Sequence, residues 1–165
     1  MSVVFNGTTI TDPYFNGTKL DYIYFNGTLV YQRATPYYPT FTNSSLWTTA
    51  TVDNAATPFK VTSSSVEVCA QDNEQMTDFS YSWAQATFNT QGCNKLRVKA
   101  KSDSGARGFT GDIIVNGVSQ TVPESTSYLY YDISGDTFTI KLDVLCASSY
   151  FGTSLTLYEI YVYYE

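Results

Sequence analysis

The segment YYDISGDTFTIKLDV, residues 130–144, carries the alternation that decides the fold. Ile140, Leu142 and Val144 are apolar at every second position, and Lys141 and Asp143 between them are charged. A period of two is that of a strand with one face in a core and the other in water. Asp132 to Asp136, with Ser134 and Gly135 between them, has the composition of a tight turn ahead of that strand. Outward from it, further strand-like runs are separated by turn signals: Trp47 to Val52, Phe59 to Cys69, Phe79 to Phe88, Lys95 to Lys101, Tyr128 to Ile133 and Thr153 to Tyr164. Gly111 to Val122 folds back at Asn116-Gly117. No window places Leu, Ala, Glu and Lys at helical spacing. The fold class expected is all-β: an N-terminal tandem β-hairpin repeat followed by a jelly-roll-like antiparallel β-sandwich.

The repeat is explicit. Phe5-Asn6-Gly7-Thr8 recurs as Phe15-Asn16-Gly17-Thr18 and Phe25-Asn26-Gly27-Thr28, a period of ten residues. Asn-Gly is the preferred pair for a type I′ turn, because both central residues need positive φ. Each unit is then a hairpin with arms too short to stand alone, so the segment is expected to stack on itself, on the main domain or on another chain. Residues 1–31 are read as this assembly element, 32–40 as a linker whose Pro36 and Pro39 bracket Tyr37-Tyr38, and 41–165 as the sandwich.

Two resemblances follow from these strings. YFNGTKLDYIYFNGTLVY resembles the tandem hairpin repeat of virion structural proteins of tailed bacteriophages, including tail-tip, fibre and decoration proteins; the match covers residues 3–31. It implies a place on a virus particle, made in the host cytoplasm, with other virion proteins and further copies of the chain as partners. LRVKAK, DIIVNG, YYDISGDTFTIKLDV and LYEIYVYY, within residues 94–165, resemble the later strands of jelly-roll carbohydrate-binding modules.

Charge and chemistry narrow the function. The net charge of −6 with only nine Lys and Arg argues against nucleic acid, which needs a basic stripe. Arg97, Lys99 and Lys101 alternate with Leu96, Val98 and Ala100 and read as the solvated side of a strand. No apolar run approaches the length of a membrane-spanning helix. The absence of histidine removes Ser-His-Asp, Cys-His and His-based zinc sites. Cys69, Cys93 and Cys146 are an odd, dispersed set, with Cys69 and Cys146 read as small apolar residues beside strands. The loop Ser104 to Gly108 lacks the Lys-Ser/Thr ending of a phosphate loop, and Asp72, Glu74 and Asp78 read as a solvated acidic loop. No catalytic residue, metal ligand or cofactor is expected.

Sugars are held by aromatic rings with polar groups nearby to fix orientation. Tyr37, Tyr38, Trp47, Tyr150 and Phe151 lie near predicted loops or the linker and are the candidate glycan platform. Trp83 alternates with Phe79 and Tyr81 and is assigned to the core. The last strand is apolar or amphipathic on both faces, so Tyr158, Tyr161 and Tyr163 are candidates for contact with the hairpins or a neighbouring subunit. The function expected is a non-enzymatic virion component, either capsid decoration or head fibre or tail part, that assembles through its hairpins and adheres to glycans. The alternative is a free-standing carbohydrate-binding module or adhesin.

Overall fold

The computed structural model describes residues 3–5, 8–10, 13–32, 34–52, 58–70, 80–103, 111–146 and 152–165. Three hairpins come first. β1 (Val3–Phe5) pairs with β2 (Thr8–Ile10), β3 (Tyr14–Phe15) with β4 (Thr18–Lys19), and β5 (Tyr22–Phe25) with β6 (Thr28–Gln32), each as its own antiparallel ladder. Asn16 and Gly17 have φ of +49° and +81°, and Asn26 and Gly27 +48° and +77°, the left-handed pair that a type I′ turn demands. Asn6 and Gly7 lie outside the described residues, as do Phe79, Asp72, Glu74, Asp78, the Ser104–Gly108 loop, Tyr150 and Phe151. Tyr14, Phe15, Tyr22, Tyr24 and Phe25 are all exposed, Phe25 at 69%.

The rest is a two-sheet antiparallel sandwich. Its strands are β7 (Thr48–Val52), β8 (Phe59–Val61), β9 (Val66–Ala70), β10 (Ser80–Asn89), β11 (Lys95–Asp103), β12 (Gly111–Val115), β13 (Val118–Thr121), β14 (Ser127–Asp132), β15 (Thr137–Cys146) and β16 (Thr153–Tyr163). The first sheet runs β13-β12-β15-β10-β7 and the second β14-β11-β16-β9-β8. The run from Phe59 to Cys69, expected as one strand, is a hairpin. Thr62 Oγ1 accepts from the backbone N–H groups of Ser64 and Ser65 at 3.2 and 3.0 Å, so a hydroxyl turn does what no Gly or Pro announces. Between β14 and β15, Gly135 at φ +83° makes the tight turn expected there.

Alternation builds the core. Ile140, Leu142 and Val144 of β15 face inward with Phe138, against Leu155 and Leu157 of β16 and Val66 and Val68 of β9. In β16 the inward parity changes along the strand. Leu155 and Leu157 point inward at odd positions, then Ile160 and Val162 at even ones. The register against β11 passes from Lys99↔Glu159 to Ala100↔Leu157, which leaves Tyr158 as the extra residue of a β-bulge. The bulge, not a second buried face, explains why both parities of this strand read as apolar.

The segment before the sandwich is docked on it. Tyr37 pairs with Val162 through two main-chain bonds, Tyr37 N to Val162 O at 2.9 Å and Val162 N to Tyr37 O at 3.0 Å. Ala34, Tyr37 and Phe41 pack against the core, and the Cys93 thiol lies 3.7 Å from the carbonyl of Thr35. On the outer side of β16, expected to meet hairpins or another subunit, Tyr161 meets the Tyr38 ring of the same chain.

Candidate functional site

Two faces of the sandwich carry outward aromatics. The first belongs to β10. Its even residues Ser80, Ser82, Ala84, Ala86 and Phe88 are buried, so its odd residues Tyr81, Trp83, Gln85 and Thr87 stand on the outer face. This overturns the assignment of Trp83 to the core. The signal lay downstream: Ala84-Gln85-Ala86-Thr87-Phe88 sets the inward parity at even numbers, and small Ser80 and Ser82 continue it beneath the large rings.

The register places the neighbours of Trp83. Ala50 of β7 lies opposite it on one side and Asp143 of β15 on the other, and Asp112 of β12 lies opposite Asp143. Small Ala50 leaves space beside the indole, and two carboxylates meet across the β12–β15 ladder. Like charges directly opposite in a sheet are unfavourable. Lys141 relieves the pair, since its Nζ donates to Asp143 Oδ2 at 3.0 Å and to the Tyr81 hydroxyl at 2.7 Å. The same ammonium lies 5.4 Å from the ring centres of both Tyr81 and Trp83. Asp112 Oδ2 accepts from the Ser119 hydroxyl at 3.0 Å. Asp143 Oδ1 is buried without a partner among the described residues.

The protonation states are held by these contacts. Burial is the largest influence on the Lys141 ammonium and lowers its pKa, but the bonds to Tyr81 and Asp143 and the Asp143 charge outweigh it, and the net direction is upward. Lys141 therefore stays cationic. Burial raises the Tyr81 phenol, which stays neutral. The face offers an indole and a phenol for the apolar side of a ring, carboxylate acceptors and a fixed cationic donor. No group of three or more His, Cys, Asp or Glu side chains suited to a metal occurs among the described residues.

The second face belongs to β11, β14 and β16. Arg97 Nη2 donates to Glu159 Oε1 at 2.8 Å, and its guanidinium carbon lies 4.8 Å from the ring centres of both Tyr128 and Tyr161. Tyr161 stacks on Tyr163 at 5.4 Å, and Tyr38 leans on Tyr161 at 4.7 Å. Of the basic run, Arg97 and Lys99 thus lie against phenol rings, while Lys101 is 41% exposed beside Asp103.

The residues singled out from the sequence are dispersed. Tyr38, 61% exposed, joins Tyr161 and Tyr163 on the second face. Tyr37 is half-buried and spends its hydroxyl on the Asn89 carbonyl. Trp47 is a correction: only 7% exposed, it donates Nε1–H to the Phe41 carbonyl at 2.9 Å and packs against Phe59 and Phe88, so it is core and offers no platform. Tyr158 is partly exposed at the bulge. Phe15, Asn16, Gly17, Phe25, Asn26 and Gly27 sit on the hairpins, away from both sheet faces in sequence and in pairing. Phe5 ends β1, opposite Thr8.

No protein-family model matches the chain, and no curated protein matches it. Among solved structures it is similar to a family 11 carbohydrate-binding module from Clostridium thermocellum in complex with a β-1,3-1,4-mixed-linked tetrasaccharide, with a TM-score of 0.47 and 14% identity over 78% of this chain and 96% of that one. It is also similar to a family 29 carbohydrate-binding module complexed with mannohexaose, with a TM-score of 0.42 and 14% identity over 78% of this chain and 91% of that one. These likenesses concern the sandwich fold. The resemblance of residues 3–31 to virion hairpins rests on the sequence alone.

Proposed function

We propose that the chain is a non-catalytic carbohydrate-binding protein that holds an uncharged glycan on the outer face of the first sheet. The observation that supports this is Trp83 turned outward between Ala50 and Asp143, beside Tyr81, a lysine and two facing carboxylates. Trp83 and Tyr81 are two residues apart on one strand face, about 7 Å by strand geometry, which suits neighbouring sugar rings of one chain. Sugar C–H faces would lie on the rings, and sugar hydroxyls would donate to Asp112. Lys141 would donate to a sugar oxygen. With Lys141 already neutralised by Asp143, the face holds no excess cation to select an acidic glycan.

The test is calorimetric titration with mannohexaose and with a mixed-linked β-glucan tetrasaccharide. Expected is micromolar to millimolar binding to at least one, weakened at least about tenfold by Trp83→Ala, a loss of about 1.4 kcal/mol. Equal binding by Trp83→Ala would remove the site from this face.

The hairpins support a second component of the reading. Phe15, Phe25, Tyr14, Tyr22 and Tyr24 are more than half exposed on ladders too short to stand alone, which suits attachment to a larger assembly or to further copies of the chain. A tailed-phage particle is the assembly that the residue 3–31 resemblance favours, and many weak glycan contacts on one particle would add through avidity. Light scattering on the full chain and on a chain beginning at Ala34 tests the attachment role. Assembly of the first alone supports it, and identical monomers speak against self-association.

A further inference from the structure

We propose that the second sheet carries a separate binding surface for an uncharged saccharide, centred on Tyr130 and Tyr163. It shares a ligand class with the reading above and stands on other residues.

A depression of about 420 Å³ is lined by Lys95, Tyr130, Tyr131, Asp132, Tyr163 and Glu165. That volume is in the range of small-ligand sites. The register explains how it forms. Lys95 lies opposite Asp132 on one side and Tyr163 on the other, and the next outward residue, Arg97, lies opposite Tyr130 and Tyr161. Asp132 and Tyr163 therefore flank Lys95, and Tyr130 and Tyr161 flank Arg97.

The polar groups of the depression are paired with one another. Lys95 Nζ is 2.8 Å from Asp132 Oδ1 and 3.9 Å from Glu165 Oε2. Asn94 pins the backbone of Glu165 twice: its Nδ2 donates to Glu165 O at 3.0 Å, and Glu165 N donates to Asn94 Oδ1 at 3.0 Å. Gln120 Nε2 donates to the Tyr130 carbonyl at 2.7 Å, bracing the edge of β14 from the other sheet. Carboxylate acceptors and an ammonium donor beside ring faces are what a sugar residue requires.

The surface continues beyond the depression. From Tyr163 the stack runs to Tyr161 and on to Tyr38, with Arg97 clasped between Tyr161 and Tyr128. Tyr130 and Tyr38, 58% and 61% exposed, offer ring surface to a chain of sugars, while Tyr161 is covered by its neighbours. Charge decides which chain. Lys95, Arg97, Lys99 and Lys101 are balanced by Asp103, Asp132, Glu159 and Glu165, and Arg97 and Lys95 each hold a carboxylate at 2.8 Å. An acidic polymer would have to displace those partners, whereas a neutral one keeps them.

Amide shift mapping by NMR on the full chain tests this, with cellohexaose, mannohexaose and polygalacturonate as probes. Expected are saturable shifts at Lys95, Tyr130, Tyr163 and Glu165 with a neutral probe, retained in Trp83→Ala. Tyr130→Ala and Tyr163→Ala should weaken that response at least about tenfold. Tyr130 is 58% exposed, so its replacement leaves the sandwich intact, and unchanged amides elsewhere report this. Shifts confined to the Trp83 face overturn the second surface and leave the first. Shifts confined to Tyr130 and Tyr163 do the reverse. Silence with all three probes overturns the second surface, a response to polygalacturonate alone overturns the neutral ligand class, and shifts that follow protein concentration without any saccharide assign the surface to self-pairing instead.

Discussion

Gly111 and Tyr131 show how single residues hold the first sheet over the second. A Cβ on Gly111 would sit 2.9 Å from Leu155 Cβ and 3.3 Å from the Asp143 carbonyl, both parts of packed strands with nowhere to go. Gly111→Ala is therefore expected to cost about 1–3 kcal/mol by overpacking, read as a lower urea midpoint at unchanged slope. It should also weaken glycan binding, because the strand it pushes carries Asp143. Tyr131 is buried, and its hydroxyl donates to the Ile113 carbonyl at 2.8 Å. Burial first, and the charge of Asp112 second, push its phenol well above the ordinary range. The folded state thus holds the proton more tightly than the unfolded state. The stabilisation is complete below about pH 10, the ordinary phenol value, and is lost as pH rises from there through the raised folded value. Tyr131→Phe should lower stability by about 1 kcal/mol at neutral pH. The gap from wild type should close above about pH 10, a trend that urea titrations across pH would record.

At the scale of the element, β16 makes a prediction that alternation alone would not. Tyr158 is the extra residue of the bulge, so a chain lacking Tyr158 keeps Leu155, Leu157, Ile160 and Val162 inward on an uninterrupted strand. A chain lacking Thr156 cannot keep all four inward and must turn a fully buried leucine out. That costs about 2–5 kcal/mol. Thermal unfolding should show the Thr156 deletion as much the more damaging of the two, and the reverse order would refute the bulge. The hairpins behave oppositely. Among the described residues their ladders pair only with themselves, so a peptide of residues 13–32 is expected to lack the dispersed amide spectrum of a folded hairpin in water.

At the scale of the whole molecule, the segment around Tyr37 belongs energetically to the sandwich. A chain beginning at Ala34 retains the two Tyr37–Val162 bonds and the cover over Cys93, and should unfold as the full chain's sandwich does. A chain beginning at Thr40 loses both, and is expected to lose about 2–3 kcal/mol. Its Cys93 should also react faster with a thiol reagent, because the Thr35 carbonyl and Ala34 no longer lie over that turn. Equal thiol rates in the two chains would show that the segment contributes nothing there.

The all-β class, the turns at Asn16-Gly17, Asn26-Gly27 and Asn116-Gly117, and the inward row of β15 were all legible in the sequence. Each is dictated by local stereochemistry: positive φ at the turn, period two along the strand. The candidate binding faces were not legible to the same degree. Trp47 and Trp83 exchanged places, one inside against Phe88 and one outside beside Asp143, because aromatic identity does not say which side of a pleat faces the other sheet. The bulge at Tyr158 changed parity without a Gly or Pro to mark it. Tyr38 met Tyr161 from more than a hundred residues away. Local sequence sets each strand's period and its turns. Its phase against the core, and the neighbours that complete a binding face, follow from packing between strands distant in the chain, and that is a property of the tertiary structure.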